Sequence, residues 1–139
     1  MEGLEDKIEV ELENGQLVIR LMGETTFNSG KTRIKSQMIP LLKKMGSTLK
    51  KMKDDIIVSG HTDNMPIRGG LYENNLELSI ARAYSVARFF IDETNINPQR
   101  IATMGFGEYR PIQSNDSASG REKNRRVEII LTDFSLPGS

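Results

Sequence analysis

The sequence predicts one domain of the α/β (α+β) sandwich class, in which helices pack on one face of a mixed β-sheet that starts with an N-terminal β-hairpin. Three observations predict this class. A chain of 139 residues is long enough for one hydrophobic core. Apolar and polar residues alternate at the start of the chain and again near its end, as in half-buried strands. Between them, two long segments repeat apolar residues at helical spacing.

The first element is a hairpin over residues 8–21. Apolar and acidic residues alternate up to Glu13, and Asn14-Gly15 then supplies the two positive φ angles of a type I′ turn. A two-residue turn sets the register, in which the facing pairs are Leu12 with Leu17, Val10 with Ile19 and Ile8 with Leu21. All six apolar side chains then share one face, which we expect to lie on the core.

The next element is a helix that begins near Ser36, a candidate N-cap, with Pro40 tolerated in its first turn. Its predicted buried stripe is Ile39, Leu42, Met45, Leu49 and Met52. A second helix begins at Asn74, which forms a capping box with Glu77, and ends near Thr94-Asn95. Its predicted core face is Leu76, Ile80, Ala83, Ala87 and Phe90.

Three further strands are predicted from short runs rich in β-branched or alternating apolar residues. They are residues 56–59, residues 101–104 and residues 127–131. Gly105-Phe106-Gly107 is expected to end the second of these strands. The charged residues 121–126 lead into the last one.

Charge and composition exclude several classes of function. Lys and Arg number 19 and so do Asp and Glu, so that bulk attraction to nucleic acid is not expected. Residues 31–53 carry eight basic residues and no acid, but these alternate with apolar positions, which favours a solvated helix face. There is no cysteine, and no apolar run approaches the ~18 residues that span a membrane. A role outside the cytoplasm would therefore require a processed or excised fragment.

The sequence does not assemble a catalytic set. His61 is the single histidine, no nucleophile-elbow pattern accompanies it, and no carboxylates are spaced to complete a metal site. Asp54 and Asp55 are adjacent on the approach to a strand and should point to opposite faces. We therefore expect a protein that is not an enzyme and has no cofactor, in which His61 bonds neighbouring backbone at a strand end.

Two oppositely charged residues flank the loop after the strand 56–59. Asp63 follows the strand and Arg82 lies in the early turns of the next helix, so the two can face one another across a cleft and bind a zwitterion. The alternatives are an Asx-turn for Asp63 and a surface position for Arg82. We expect Arg121, Arg125 and Arg126 to converge on the same sheet edge and fix a carboxylate.

Several motifs resemble the OmpA-like peptidoglycan-binding domain over roughly residues 27–131. They are Gly60-His61-Thr62-Asp63, Asn75 with Leu78-Ser79 and Arg82-Ala83, Gly105-Phe106-Gly107 with Pro111, and Gly120-Arg121 with Asn124-Arg125-Arg126-Val127-Glu128. The resemblance implies a periplasmic domain that holds peptidoglycan through the diaminopimelate of its stem peptide. Asp63 would bind the ammonium and Arg82 the carboxylate. The resemblance also implies polar contacts from Thr62, Asn64 and Asn75, with Arg125 alongside.

The loop between Asp63 and Asn75 is longer than in the short form of this family and looks like that of flagellar stator B subunits, PomB and MotB. This similarity implies a stator fragment that fixes the ion-driven stator to the cell wall. It also implies a homodimer, a PomA/MotA-type channel subunit and periplasmic flagellar ring proteins as partners. A general outer-membrane or lipoprotein wall anchor is the alternative, and a wall-modifying hydrolase is a third reading. The expected organisation is a linker and hairpin (1–26), an OmpA-like domain (27–132) and a flexible tail (133–139).

Overall fold

Five strands form one mixed sheet in the order β1-β2-β5-β3-β4 in the computed structural model, which describes residues 8–67 and 70–132. The strands are β1 (Ile8–Glu13), β2 (Gln16–Met22), β3 (Asp55–His61), β4 (Ile101–Gly107) and β5 (Arg126–Thr132). The helices are α1 (Gly23–Thr26), α2 (Ile39–Lys51), α3 (Asn75–Thr94) and α4 (Ala118–Asn124), with 3-10 turns at Ser36–Met38 and Pro98–Arg100. Among the described helices, none is both long enough and apolar enough to cross a lipid bilayer. The predicted mixed sheet is confirmed, because β3 pairs parallel with β4 and antiparallel with β5.

The hairpin has the predicted register. Leu12 faces Leu17, Val10 faces Ile19 and Ile8 faces Leu21. Asn14 and Gly15 have φ angles of 53° and 80°, as the turn requires. The expected burial holds for β2, whose Ile19 and Leu21 join the core, but not for all of β1. Val10 and Leu12 are exposed, since β1 is the edge strand of the sheet.

The hairpin and the rest of the chain share this sheet. Strand β2 pairs with β5 from Leu17 with Leu131 to Met22 with Arg126. The domain boundary expected at residue 27 stays a prediction. The tail expected at 133–139 and the first seven residues lie outside the described part of the chain.

The hydrophobic core lies between one face of the sheet and helices α2 and α3. The sheet contributes alternate residues of its three central strands: Ile19, Leu21, Ile56, Val58, Val127, Ile129 and Leu131. The helices contribute Leu42, Leu49, Ala83, Val86, Ala87 and Phe90. Pro40 lies in the first turn of α2 as predicted. The predicted cap at Ser36 is wrong, because a 3-10 turn precedes the helix and no side chain caps it.

Helix α3 begins with the predicted cap, in which the Asn74 side chain accepts a hydrogen bond from the Glu77 N–H. Its predicted core face is partly wrong, because Leu76 and Ile80 are 41% and 47% exposed. The helix backbone itself approaches the sheet: a Cβ on Gly60 would lie 1.9 Å from the Ser79 carbonyl oxygen. A side chain at the centre of such a close contact has no room. At this contact the helix therefore carries small residues, Ser79 and Ala83, while Leu76 and Ile80 lie to the outside.

One local prediction differs from the structure, and one short helix was not predicted. Gly105-Phe106-Gly107 does not end β4, which continues to Gly107 and pairs it with His61 across a register shift. Gly105 allows the close approach of α3, since a Cβ there would lie 2.8 Å from the Ile80 nitrogen. The charged residues before the last strand form part of α4, which Ser117 caps by accepting a hydrogen bond from the Gly120 N–H.

The contact between β3 and α3 gives a stability prediction with a neighbouring control. Gly60→Ala should lower the free energy of unfolding by about 3 kcal/mol or more, because the added methyl group would force α3 off the sheet. Ser59→Ala should leave it unchanged or raise it by about 1 kcal/mol, because the buried Ser59 hydroxyl has no hydrogen-bond partner among the described residues. Urea unfolding of both variants checks this. Equal stability of the two variants would contradict it.

Candidate functional site

A cleft of about 870 Å³ opens at the edge of the sheet where β3 ends and β5 begins. The antiparallel pairing of His61 with Arg126 brings the residues after β3 and before β5 to the same edge. Strand β2 ends there too, because Met22 also pairs with Arg126 and the Gly23 N–H donates to the Arg125 carbonyl at 2.7 Å. Residues on the cleft wall include Glu24, Phe27, Asn28, Lys31, Thr62, Asp63, Tyr72, Asn75, Arg82 and Arg125.

Asp63 is the buried acidic residue of the cleft and is 6% exposed. Its Oδ1 accepts a hydrogen bond from the Met65 N–H at 3.0 Å, which forms the Asx-turn that the sequence left open. Its Oδ2 accepts from Arg125 Nη1 at 2.6 Å. The turn therefore fixes the carboxylate, while Arg125 balances its charge.

Arg82 is a buried cation without an acidic partner. Its Nε donates to the Lys31 carbonyl at 2.9 Å and its Nη2 to the Asn28 carbonyl at 3.2 Å, and its guanidinium lies 4.9 Å from the centre of the Phe27 ring. Among the described residues no carboxylate lies within 4 Å of it, and Nη1 has no hydrogen bond. Burial, with Arg125 adding to it, lowers the pKa of Arg82 to about 10. An anion entering the cleft would relieve this unbalanced charge.

Arg125 connects two acids. Its Nη1 bonds Asp63 and its Nη2 bonds Glu24, a half-exposed residue in α1. Burial disfavours the charge of Arg125, but the hydrogen bonds that Arg125 donates to Asp63 and Glu24 outweigh burial and raise its pKa. Because Glu24 gives Arg125 a second acceptor, Arg125 can release Asp63 without losing all of its anionic contacts.

Thr62 and Asn75 build the loop that carries Asp63. The Thr62 N–H donates to the Gly107 carbonyl at 2.9 Å, and its hydroxyl donates to the Asp63 carbonyl at 2.8 Å. Asn75 Nδ2 donates to the carbonyls of Asp63 and Met65 at 3.3 and 3.0 Å. Both side chains are buried in these contacts, so their structural role is to orient the acid.

The structure brings five of the six predicted site residues into one cleft: Thr62, Asp63, Asn75, Arg82 and Arg125. It does not bring in Asn64, which is exposed and does not line the cleft. Sequence reasoning missed Glu24 and Tyr72. Glu24 directly follows a strand end, but only the pairing of β2 with β5 shows that this end lies beside Arg125.

The predicted convergence of three arginines is wrong for two of them. Arg126 lies on the opposite face of the sheet, where its Nε bonds Glu128 at 2.7 Å, because consecutive strand residues point to opposite faces. Arg121 lies in α4 and donates to the Asn115 carbonyl at 2.9 Å. Only Arg125 enters the cleft.

His61 does not bond neighbouring backbone, so that prediction is also wrong. The ring is 4% exposed and stacks on Phe106 with 5.2 Å between ring centres, and neither nitrogen has a hydrogen bond among the described residues. Its Nε2 lies 3.8 Å from Glu128 Oε1. Burial, reinforced by Arg126, lowers the pKa of His61 to about 4 against the opposing effect of Glu128. In residues 8–67 and 70–132, no group of three His, Cys, Asp or Glu could hold a metal ion.

A family profile, single sequences and solved structures were each found to be similar to this chain. The OmpA family profile matches residues 26–125. Motility protein B of Bacillus subtilis is 36% identical over 92% of this chain and 49% of its own length. Outer membrane protein Omp38 of Acinetobacter baumannii is 36% identical over 76% of the chain and 29% of its own length. The chain thus spans about half, or less, of the length of these relatives.

Two solved structures have the same fold. The cell wall anchor of the T6SS from Pseudomonas aeruginosa has a TM-score of 0.85 and 33% identity, covering 93% of this chain and 90% of its own. The periplasmic domain of Helicobacter pylori MotB has a TM-score of 0.84 and 27% identity, covering 92% of this chain and 83% of its own. Each similarity covers more than nine tenths of this chain.

The buried His61 predicts a loss of stability on mild acidification. The unfolded chain takes up a proton at His61 near pH 6.5, whereas the folded protein does so only near pH 4. The stabilising contribution is therefore fully present above pH 6.5 and is lost as the pH falls towards 4. Between pH 7 and 5, we expect the free energy of unfolding to fall by about 2 kcal/mol.

Urea unfolding at several pH values measures this loss. His61→Phe keeps a ring against Phe106 but cannot titrate, so its unfolding free energy should change little between pH 7 and 5. Burial opposes the charge of Glu128, but Arg126 holds the pKa of Glu128 below its usual value. Protonation of Glu128 therefore lowers the free energy of unfolding further, at pH values below the usual carboxyl range. A parent protein with constant stability between pH 7 and 5 would refute the role given to His61.

Proposed function

The chain belongs to the OmpA family, and from this premise we propose that it is a non-catalytic anchor that binds the diaminopimelate of peptidoglycan stem peptides. The observation that carries the proposal is the cleft itself, in which both Arg82 and Asp63 are buried and no carboxylate of the described part of the chain lies within 4 Å of Arg82. The side-chain end of diaminopimelate carries one ammonium and one carboxylate. Its charges match those two positions.

The carboxylate of the ligand would bind Arg82. Nη1 of Arg82 is free among the described residues, while Nε and Nη2 are already held by carbonyls, so the guanidinium is fixed in place before the ligand arrives. A charge-assisted hydrogen bond of this kind contributes about 1.5–3 kcal/mol. Because no side chain has to be ordered for this contact, most of that free energy can go into affinity.

The ammonium of the ligand would bind Asp63. Arg125 holds Oδ2 of Asp63 in the unliganded protein, so the ammonium must share this oxygen or displace Arg125 towards Glu24. The cleft wall carries two acids, Asp63 and Glu24, and four basic residues, which are Lys31, Lys35, Arg82 and Arg125. A zwitterion can pair its ammonium with Asp63 and its carboxylate with Arg82, whereas a purely cationic or anionic ligand would meet only one of the two buried charges with an opposite charge.

The relatives extend this proposal to the flagellar stator. Similarity to Motility protein B over 92% of the chain supports a role as the periplasmic wall anchor of a stator B subunit. The partners would be peptidoglycan, a second copy in a homodimer, a PomA/MotA-type channel subunit reached through a membrane-spanning part, and periplasmic ring proteins. With two binding sites per dimer on a polymeric wall, the overall affinity would exceed that of each weak single site.

A general outer-membrane or lipoprotein wall anchor is the second candidate. It is favoured by the 36% identity with Omp38 of Acinetobacter baumannii. Both candidates use the same cleft. They differ in what the rest of the protein fixes to the wall.

The binding role predicts specific losses. Asp63→Asn and Arg82→Lys should each weaken sedimentation with insoluble peptidoglycan about tenfold or more, because each removes a buried charge contact or its forked geometry. Arg82→Lys keeps a cation to support the Asn28 and Lys31 carbonyls, so folding should survive, as circular dichroism can show.

The controls come from the exposed pair Arg88–Asp92 on the same helix. Arg88→Lys and Asp92→Asn make the same chemical changes outside the cleft and should bind peptidoglycan like the parent. If the cleft variants also bound like the parent at equal folded fraction, the proposed site would be wrong.

The stator role predicts recovery of motility. Replacing the corresponding part of Bacillus subtilis Motility protein B with this chain should restore swimming to cells that lack that protein, and Asp63→Asn in the chimera should abolish it. Swimming halos in soft agar measure both results. A chimera that reaches the wall but does not support swimming would favour the general-anchor candidate.

A further inference from the structure

A second hollow, of about 310 Å³, continues from the cleft. Its residues shared with the cleft are Asn28, Gly30, Lys31, Gly70 and Tyr72. Its additional residues are Thr32, Arg33 and Leu71. It lies between the segment 28–33 and the end of the long loop before α3, so a ligand that fills the cleft and extends outward can cross it.

The segment 28–33, which forms one side of the hollow, is held against helix α3 by hydrogen bonds. Arg82 holds the carbonyls of Asn28 and Lys31, and the Ser85 hydroxyl donates to the Thr32 carbonyl at 2.7 Å. The loop before α3 is joined to the segment 28–33 by a hydrogen bond between the Tyr72 hydroxyl and Thr32 Oγ1, which lie 3.2 Å apart. The hollow is therefore held by the same residue, Arg82, that forms the cationic pole of the cleft.

The chemistry of the hollow differs from that of the cleft. Leu71, 85% exposed, and the half-buried Tyr72 offer apolar surface. Lys31 and Arg33 are exposed cations, and among the described residues neither has a carboxylate within 4 Å or a side-chain hydrogen bond. Such a site suits a short aliphatic chain that ends in a carboxylate.

We propose that this hollow binds the D-glutamate that precedes diaminopimelate in the stem peptide. Its two methylene groups lie on Leu71 and Tyr72, and its free α-carboxylate faces Lys31 and Arg33. The proposal rests on the proposed function, because the diaminopimelate in the cleft brings the glutamate to the hollow. Its γ-linkage leaves the α-carboxyl group outside the peptide bonds of the stem, so cross-linking does not consume it, whereas the terminal carboxylate of the stem disappears on cross-linking.

The site is therefore a specificity determinant within the wall. A stem whose glutamate is amidated presents a neutral group to Lys31 and Arg33 and loses the attraction. The contact is exposed, so the gain in affinity should be about two- to fivefold and should diminish as salt is added.

Calorimetry with three soluble probes tests the proposal: free diaminopimelate, the tripeptide L-alanyl-γ-D-glutamyl-diaminopimelate, and the same tripeptide with its glutamate α-carboxyl amidated. The parent should bind the acid tripeptide about two- to fivefold more tightly than the amidated one. Arg33→Gln should reduce that difference, with Lys31 as the remaining cation, and leave the affinity for free diaminopimelate unchanged. Leu71→Ser should weaken both tripeptides and spare free diaminopimelate.

Lys43→Gln is the matched control, because Lys43 is an exposed cation that lines neither hollow. It should bind all three probes like the parent. Equal affinity of the parent for the acid and amidated tripeptides, or an equal loss of affinity for all probes in Arg33→Gln, would overturn the proposal.

Failure of the proposed function gives a different pattern. If Asp63→Asn does not change the affinity for free diaminopimelate, the cleft assignment fails, whatever Arg33→Gln does to the tripeptides. If none of the three probes binds the parent, both proposals fail together.

Discussion

The buried, unbalanced guanidinium of Arg82 is the constraint around which the site is arranged. A buried charge is costly unless it is paired, and here two backbone carbonyls and an aromatic ring take the place of an acid. These contacts fasten the segment 28–31 to α3 and so shape the cleft and the adjoining hollow. Among the described residues, they leave Nη1 of the guanidinium without a hydrogen bond. This unpaired donor on a buried cation is the strongest support for a ligand with an anionic group.

The opposite face of the sheet shows what a balanced charge cluster looks like in the same protein. Arg20 is buried to a similar degree as Arg82 but bonds Glu128 at 3.1 Å and also pairs with Glu11 and Glu13. These contacts outweigh burial and raise the pKa of Arg20, whereas the pKa of Arg82 is lowered. The same guanidinium group is thus stabilised in its charged form at Arg20 and destabilised in its charged form at Arg82. We therefore interpret the Arg20 cluster as structural and the Arg82 position as functional.

Much of the fold could be predicted because it depends on local patterns. The register of the hairpin follows from Asn14-Gly15, and the start of α3 follows from Asn74 and Glu77, since each is decided within a few residues. The core face of α3 could be predicted only in part from its apolar spacing, which placed Ala83, Ala87 and Phe90 in the core correctly. Gly60 and Gly105 bring the helix backbone against the sheet, and this turns Leu76 and Ile80 outward, an effect that depends on strands distant in sequence.

The sequence by itself determined the order of the five strands and the two long helices, the hairpin register and the placing of an acid and a base on either side of one loop. Only the tertiary structure decided which charges share the cleft. Asp63 and Arg125 are 62 residues apart, and Glu24 and Arg125 are 101 apart, so their contacts exist because β5 pairs with both β2 and β3. Because consecutive side chains at a strand point to opposite faces, Arg125 lies in the cleft and Arg126 lies on the opposite face. A local pattern fixes a side chain's neighbours along the chain, whereas long-range pairing fixes its neighbours in space.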